Sequence, residues 1–275
     1  MDERRLGFPR FWTEPNVPGS RLRMQRALTA LEVAAKAGNP EIVRYLAECG
    51  SGRNETDVPI STLSTSSPVH EAIAAGQVPM LRHLLSTCGY SPNYCPRAAP
   101  TVALPPLSYA IVRCDINNPG VQRCIVDLLT HPQLDANLRT PIFSIHPLRF
   151  ATAHHNPELL SWLAGSIRGG LNAAGVTALG HTLLHVASLP LTGWQVDAGN
   201  SSVAESVRCI HTLDSCWASY HLPSPPMTEI QQQAQTATIK VLLERGGCDV
   251  RTQEADGNTA LHYLAGTFGY QCSDH

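Results

Sequence analysis

With 275 residues and 43% hydrophobic content, the chain can bury a sizeable core, as one elongated domain or two compact ones. A formal net charge of −2 and a pI near 6.6 lack the basic excess of a nucleic-acid or anionic-membrane binder, and no run of residues approaches a membrane span. Nine cysteines, an odd number without paired spacing, fit reduced thiols better than a disulfide framework, which leaves the sequons at Asn54 and Asn200 without meaning.

Residues 1–26 carry six arginines against three acids, with Phe8, Phe11 and Trp12 among prolines, and read as a basic tail or cap. No apolar stretch follows the charges of MDERRLGFPRF, so the segment is not a secretory signal. From residue 27 the chain repeats itself. TALEVAAKAGNPEIVRYLAECG (29–50) and SPVHEAIAAGQVPMLRHLLSTCG (67–89) align on Ala34 with Ala72 and on Gly38 with Gly76. The alanine slot recurs at Ala110, Ala151 and Ala187, and Leu264 fills it in the last copy, at spacings of 38, 38, 41, 36 and 77 residues.

Each copy reads as two short helices. The first has small residues at its centre, and the second carries an i, i+3, i+4 stripe such as Leu81, Leu84 and Leu85. Asn39-Pro40-Glu41 and Asn156-Pro157-Glu158 predict second-helix starts, with an Asn cap, proline at the first helical position and an acid on the positive end of the dipole; Asn118-Pro119 predicts a third. The fifth copy begins at GHTLLHVA, but its second helix, TATIKVLLERGG, comes some 43 residues late. An insertion therefore occupies 188–235, and a capping box at Thr228 and Gln231 predicts a lengthened second helix ending near Arg245. Asp256-Gly257 is a turn signal before the last copy. The expected organisation is a tail (1–26), repeats one to four with the first helix of repeat five (27–187), the insertion (188–235), and the rest of repeat five with a partial sixth (236–275).

SPVHEA with its later glycine and leucine pair, and NTALHYLA, resemble the ankyrin repeat family's Thr-Pro-Leu-His signature. The resemblance covers roughly residues 27–187 and 236–267 and implies an all-α, ankyrin-type helix-turn-helix solenoid. Repeat three departs by about six extra residues around CDINNPG, and repeat four has His155 where the helix-closing glycine stands. Long proline-rich loops resemble fungal ankyrin proteins more than compact animal arrays. His70, His185 and His262 share one slot in separate repeats, so they cannot build one active site; the resemblance implies that each fixes a turn by hydrogen bonding. It also implies a non-enzymatic module binding a protein partner on the concave face of the first helices. The residues following the histidine slot, Val33, Glu71, Tyr109, Phe150, Val186 and Tyr263, are expected to point there, joined by Lys36, Arg113 and His154 from the same helices. Tyr109 and Phe150 would give this face the aromatic-and-cation composition of interface hot spots.

Little else suggests chemistry. Cys209, His211, Cys216 and His221 are the best grouping of metal-ligand types, but the spacing is not that of a zinc finger, and ligands with a single residue between them point to opposite faces of a helix, so no metal is assigned. No phosphate loop, G-x-S-x-G elbow or H-E-x-x-H helix occurs, and no catalytic residue or cofactor is assigned. The alternative is an enzyme or metal-dependent switch built on 188–235, or a fragment of a larger sensor. The expected setting is intracellular, cytoplasmic or nuclear, without nucleic-acid or membrane partners, and the incomplete last repeat leaves an end available for self-association.

Overall fold

The computed structural model describes residues 28–49, 66–96, 103–141, 144–177, 180–189, 228–246 and 248–269. They fall into two compact units, Met1–Asp135 and Ala136–His275. Every regular element among the described residues is helical.

The first unit holds three helix pairs: α1 (Ala30–Ala37) with α2 (Pro40–Glu48), α3 (Pro68–Ala74) with α4 (Val78–Arg82), and α5 (Pro106–Arg113) with α6 (Pro119–Thr130). Side-chain oxygens start them. Thr29 and Glu32 form a capping box on α1, Ser67 accepts from the His70 amide, and Asn39 and Asn118 accept from Ile42 and Gly120 at the starts of α2 and α6. Proline occupies an early position of α2, α3, α4, α5 and α6, where a missing N–H costs nothing. The second helix of the middle pair departs from expectation. After Arg82 it widens into a π-helical turn over His83–Thr87, closed by the Cys88 amide on the His83 carbonyl at 3.1 Å, and Leu84 and Leu85 remain buried.

First helices pack side by side, α1 on α3 and α3 on α5, while α4 packs on α6. Arg82 grips Asp127 across that second contact with two bonds, Nε to Oδ2 at 2.6 Å and Nη2 to Oδ1 at 2.9 Å. Farther along, Asn93 donates to the Gln133 carbonyl and accepts from the Asp135 amide, tying the loops after the second and third pairs. The helix-joining turns come closer still. A Cβ on Gly120 would lie 2.7 Å from the Gly76 carbonyl oxygen, so neighbouring pairs meet backbone to backbone there. Gly76 itself has φ of +63°, left-handed backbone that glycine adopts without strain.

The second unit contains α7 (Pro147–Ala153), α8 (Pro157–Ser166), a 3-10 turn at Gly170–Ala174, α9 (Leu183–Ala187), α10 (Glu229–Arg245) and α11 (Ala260–Gly269). Asn156 caps α8 through the Leu159 amide, and the Thr228–Gln231 capping box opens α10. α10 packs against α8 and α9, which makes it the second helix of the pair that α9 begins. Its buried residues Gln235, Thr238 and Leu242 form a narrow i, i+3, i+7 seam. At the joint of α7 and α8, His155 sits at φ +47°, taking the left-handed backbone of the absent glycine at a cost of roughly 1–2 kcal/mol.

Gly120→Ala is expected to lower the urea midpoint of the first unit. Overpacking against the Gly76 carbonyl costs about 1–3 kcal/mol, more than the roughly 1 kcal/mol gained in helix propensity. Gly89→Ala is the control: nothing lies within 4 Å of its added Cβ, so only the strain of φ +72° is felt. Equal midpoints for Gly120→Ala and the parent chain would remove the close approach as a determinant of stacking.

Candidate functional site

One position in each repeat organises the turns. Glu32, His70, Ser108, Arg149, His185 and His262 occupy it, three residues after the cap of each first helix. His70 Nε2 lies 2.9 Å from the Leu104 carbonyl, which can only accept, so Nε2 carries the hydrogen; Nδ1 is hydrogen-bonded to the Ser67 hydroxyl at 2.7 Å. His185 repeats this arrangement, with Nε2 donating to the Asn258 carbonyl at 3.2 Å and Nδ1 accepting from the Thr182 amide at 3.1 Å. His262 keeps the local half, accepting from the Thr259 amide at 3.0 Å.

In the fourth copy the position holds Arg149, a residue whose type hides the relationship. Its guanidinium is buried and donates from Nη1 to the His181 carbonyl at 3.1 Å and from Nη2 to the Gly175 carbonyl at 2.8 Å. Leu104, His181 and Asn258 each lie four residues before the organising position of the next repeat. The bond thus runs from one repeat into the segment that leads to the first helix of the next. In the second unit those segments are hairpins closed by backbone: Thr177 donates to His181 and Glu254 to Asn258, at 3.1 and 3.0 Å. Glu254 adds its carboxylate, accepting from the Asp256 and Asn258 amides at 2.9 Å each around the turn at Gly257.

Around this frame the second unit has a buried polar cluster that the sequence reading missed. His181 Nε2 lies 3.3 Å from the Tyr263 hydroxyl and 3.9 Å from Glu254 Oε2, and the His181, His185 and Tyr263 rings meet edge to face. Burial pushes His181 down to about 4, with His185 adding to the effect, and lowers His185 as well. His154 and His155 are likewise pushed to about 4 by burial, and His146 to about 3 by burial and the charges of Arg139 and Arg149. Burial, then Arg139, lowers Arg149 to about 10, which leaves it charged at neutral pH. Burial works to raise Glu254, but the hydrogen bonds from Asp256 and Asn258 outweigh it and hold the carboxyl below its ordinary value. His155 Nε2 donates to the Ala187 carbonyl at 3.0 Å, a second inter-repeat bond.

The expected binding residues separate into two sets. Phe150, Val186 and Tyr263 are buried in the second unit, and Glu71 is buried beside Lys36, with Nζ to Oε2 at 3.7 Å. These four side chains are therefore largely withdrawn from solvent, and Glu71, Tyr109 and Tyr263 each meet a residue of the preceding repeat in their own unit. Tyr263 stands against His185 with ring centres 5.5 Å apart, and Tyr109 stands edge-on to His70 at 4.7 Å. His154 is half-buried beside the α7–α8 turn. Val33, Lys36 and Tyr109 retain solvent exposure in the first unit, Tyr109 in part. The Arg113 side chain, the basic tail, and Cys209, His211, Cys216 and His221 lie outside the described residues. No group of three or more His, Cys, Asp or Glu among the described residues is arranged to hold a metal ion, and no helix among them is long and apolar enough to cross a membrane.

No protein-family model matches the chain, and no curated protein matches it. Solved structures do. The ankyrin repeat protein EF0377 is similar at 17% identity and a TM-score of 0.52, over 88% of this chain and 92% of that one. A chain from the structure of the predatory endopeptidase Bd0816 of Bdellovibrio bacteriovorus in complex with immunity protein Bd3460 is similar at 14% identity and a TM-score of 0.51, over 89% of this chain and 95% of that one. The likeness shows the ankyrin repeat fold, an all-α array of helix-turn-helix units.

Two outcomes are expected of the second unit. Because the buried histidines bind protons more readily when unfolded, near 6.5, than when folded, their neutral forms contribute stability that is fully present above about 6.5 and lost as pH falls through about 4. Urea midpoints followed by circular dichroism should fall over that window, and a flat profile would contradict the burial of these rings. Arg149→Met should cost roughly 1.5–3 kcal/mol by removing charge-assisted hydrogen bonds to the His181 and Gly175 carbonyls, the first of which keeps the Thr177 amide, with Arg149→Lys intermediate, as read by the same unfolding curves.

Proposed function

We propose that this ankyrin repeat fold is a non-enzymatic module that binds a protein partner on the face made by the first helices of its first unit. The observation that carries the reading is the side-by-side packing of α1, α3 and α5, with Lys36 on α1 and Tyr109 on α5 accessible beside the interior they frame. Lys36 supplies a cation partly neutralised by Glu71. Tyr109 supplies an aromatic face with a polar tip, pre-positioned by its contact with His70, so that little side-chain entropy remains to be lost on binding. Phe150, Val186 and Tyr263 are left out of the surface because they are buried. The six described cysteines are free thiols, which supports a reducing, cytoplasmic or nuclear setting. That one similar structure comes from a complex of an endopeptidase with an immunity protein accords with protein recognition as a use of this fold.

Affinity capture from native extract, comparing the parent chain with Lys36→Ala/Tyr109→Ala of matched circular dichroism, is the test. The expected result is one or more proteins retained by the parent and bound at least about tenfold more weakly by the variant, about 1.4 kcal/mol of binding energy. Equal capture by both chains would move the binding surface away from these helices.

A further inference from the structure

The outer end of the first helix pair is apolar and uncovered. Val33 on α1 and Ile42 and Tyr45 on α2 are 51%, 48% and 66% exposed. Their counterparts in the following pairs of the same unit are covered wholly or in part: Glu71 in the place of Val33, Met80 and Val121 in the place of Ile42, and Cys124 in the place of Tyr45 are exposed by 6, 2, 1 and 0%, while Tyr109 and His83 are half-buried. The direction they face is fixed by contacts. Glu71 meets Lys36 of the pair before it, Tyr109 meets His70 of the pair before it, and Gly120 meets Gly76 of the pair before it. Val33, Ile42 and Tyr45 therefore face the space that a preceding pair would fill.

We propose that residues 1–27 of this chain occupy that space and cap the first pair through Phe8, Phe11 and Trp12. The segment joins the described chain at Leu28, two residues before α1 begins, so it starts beside the face it would cover. It is longer than the stretch from Ala30 to Glu48 that makes the first pair, and its aromatic residues are apolar like the three side chains they would meet. Six arginines against Asp2, Glu3 and Glu14 give it a positive excess, and α2 presents the exposed carboxylate of Glu48 beside that of Glu41, which pairs with Arg44 at 2.6 Å. An intramolecular occupant is held at high effective concentration by its short connection, whereas a second copy must be recruited from solution.

The test uses the full chain. Ile42→Ser/Tyr45→Ser and Phe8→Ser/Phe11→Ser/Trp12→Ser are each expected to raise the unfolding equilibrium constant of the first unit about tenfold or more, and the combined variant to add little to either. Such non-additivity is the mark of two sets in contact. Hydrogen exchange on the unsubstituted chain is the independent measurement: protection of the Phe8, Arg10, Phe11 and Trp12 amides at a concentration where sedimentation finds only monomer supports the cap. Additive effects, exchange of those amides at the rate of a free peptide, or protection that vanishes on dilution together with a dimer would each overturn it, the last in favour of a second copy on the same face.

Discussion

The array depends on one hydrogen bond, from a side chain at the third helical position of one repeat to a carbonyl in the segment that leads to the first helix of the next. A carbonyl has two lone pairs, and those of His181 and Asn258, which already accept one backbone amide each, take a side-chain donor on the second. His70 supplies the donor to Leu104, Arg149 to His181, and His185 to Asn258. The requirement is reach and an N–H, not imidazole chemistry, which is why arginine can stand in for histidine. It is also why His185 is neutral: one ring nitrogen must accept from the Thr182 amide while the other donates. Ser108 has the position without the reach, and its hydroxyl is buried with no hydrogen-bond partner among the described residues.

Much of the local structure was legible because it is written in short-range chemistry. An asparagine before Pro-Glu starts a helix for reasons contained within four residues, and Asn39 and Asn156 cap α2 and α8 accordingly. The same is true of Thr228 and Gln231, whose reciprocal bonds, at 3.3 and 2.8 Å, open a helix far from its own pair mate in sequence. The period of the alanine slot located the repeats even where the signature had worn away. What the period could not supply was direction along the stack. Phe150 and Tyr263 follow the organising position as Tyr109 does, but whether that side chain meets solvent or a neighbour depends on which way the repeats advance, and that is a tertiary property. Glu254 and Arg149 were missed for another reason: a lone acid before a turn and a lone arginine on an apolar helix show no spacing that joins them to His181.

His155 shows how a departure from pattern can be retained. A left-handed residue with a Cβ is strained, yet the side chain that brings the strain also donates to the Ala187 carbonyl at the end of α9. Glycine there would relax the backbone and lose the bond. The two effects are of similar size, near 1 kcal/mol each, so the substitution exchanges local ease for a tie between repeats.

The Ala187 carbonyl has a second donor, Gln235, whose buried amide also reaches the Leu189 carbonyl, at 3.0 and 3.2 Å. One residue of α10 thereby holds the point where the chain leaves α9 and the point where it returns. Closing a loop costs only about 0.6 kcal/mol more for each doubling of its length, so with its two ends pinned this way, the number of residues between them can change at little thermodynamic cost. The pair formed by α9 and α10 is in that sense a socket, a place where lineages could exchange one appended peptide for another while the repeats beneath it kept their sequence.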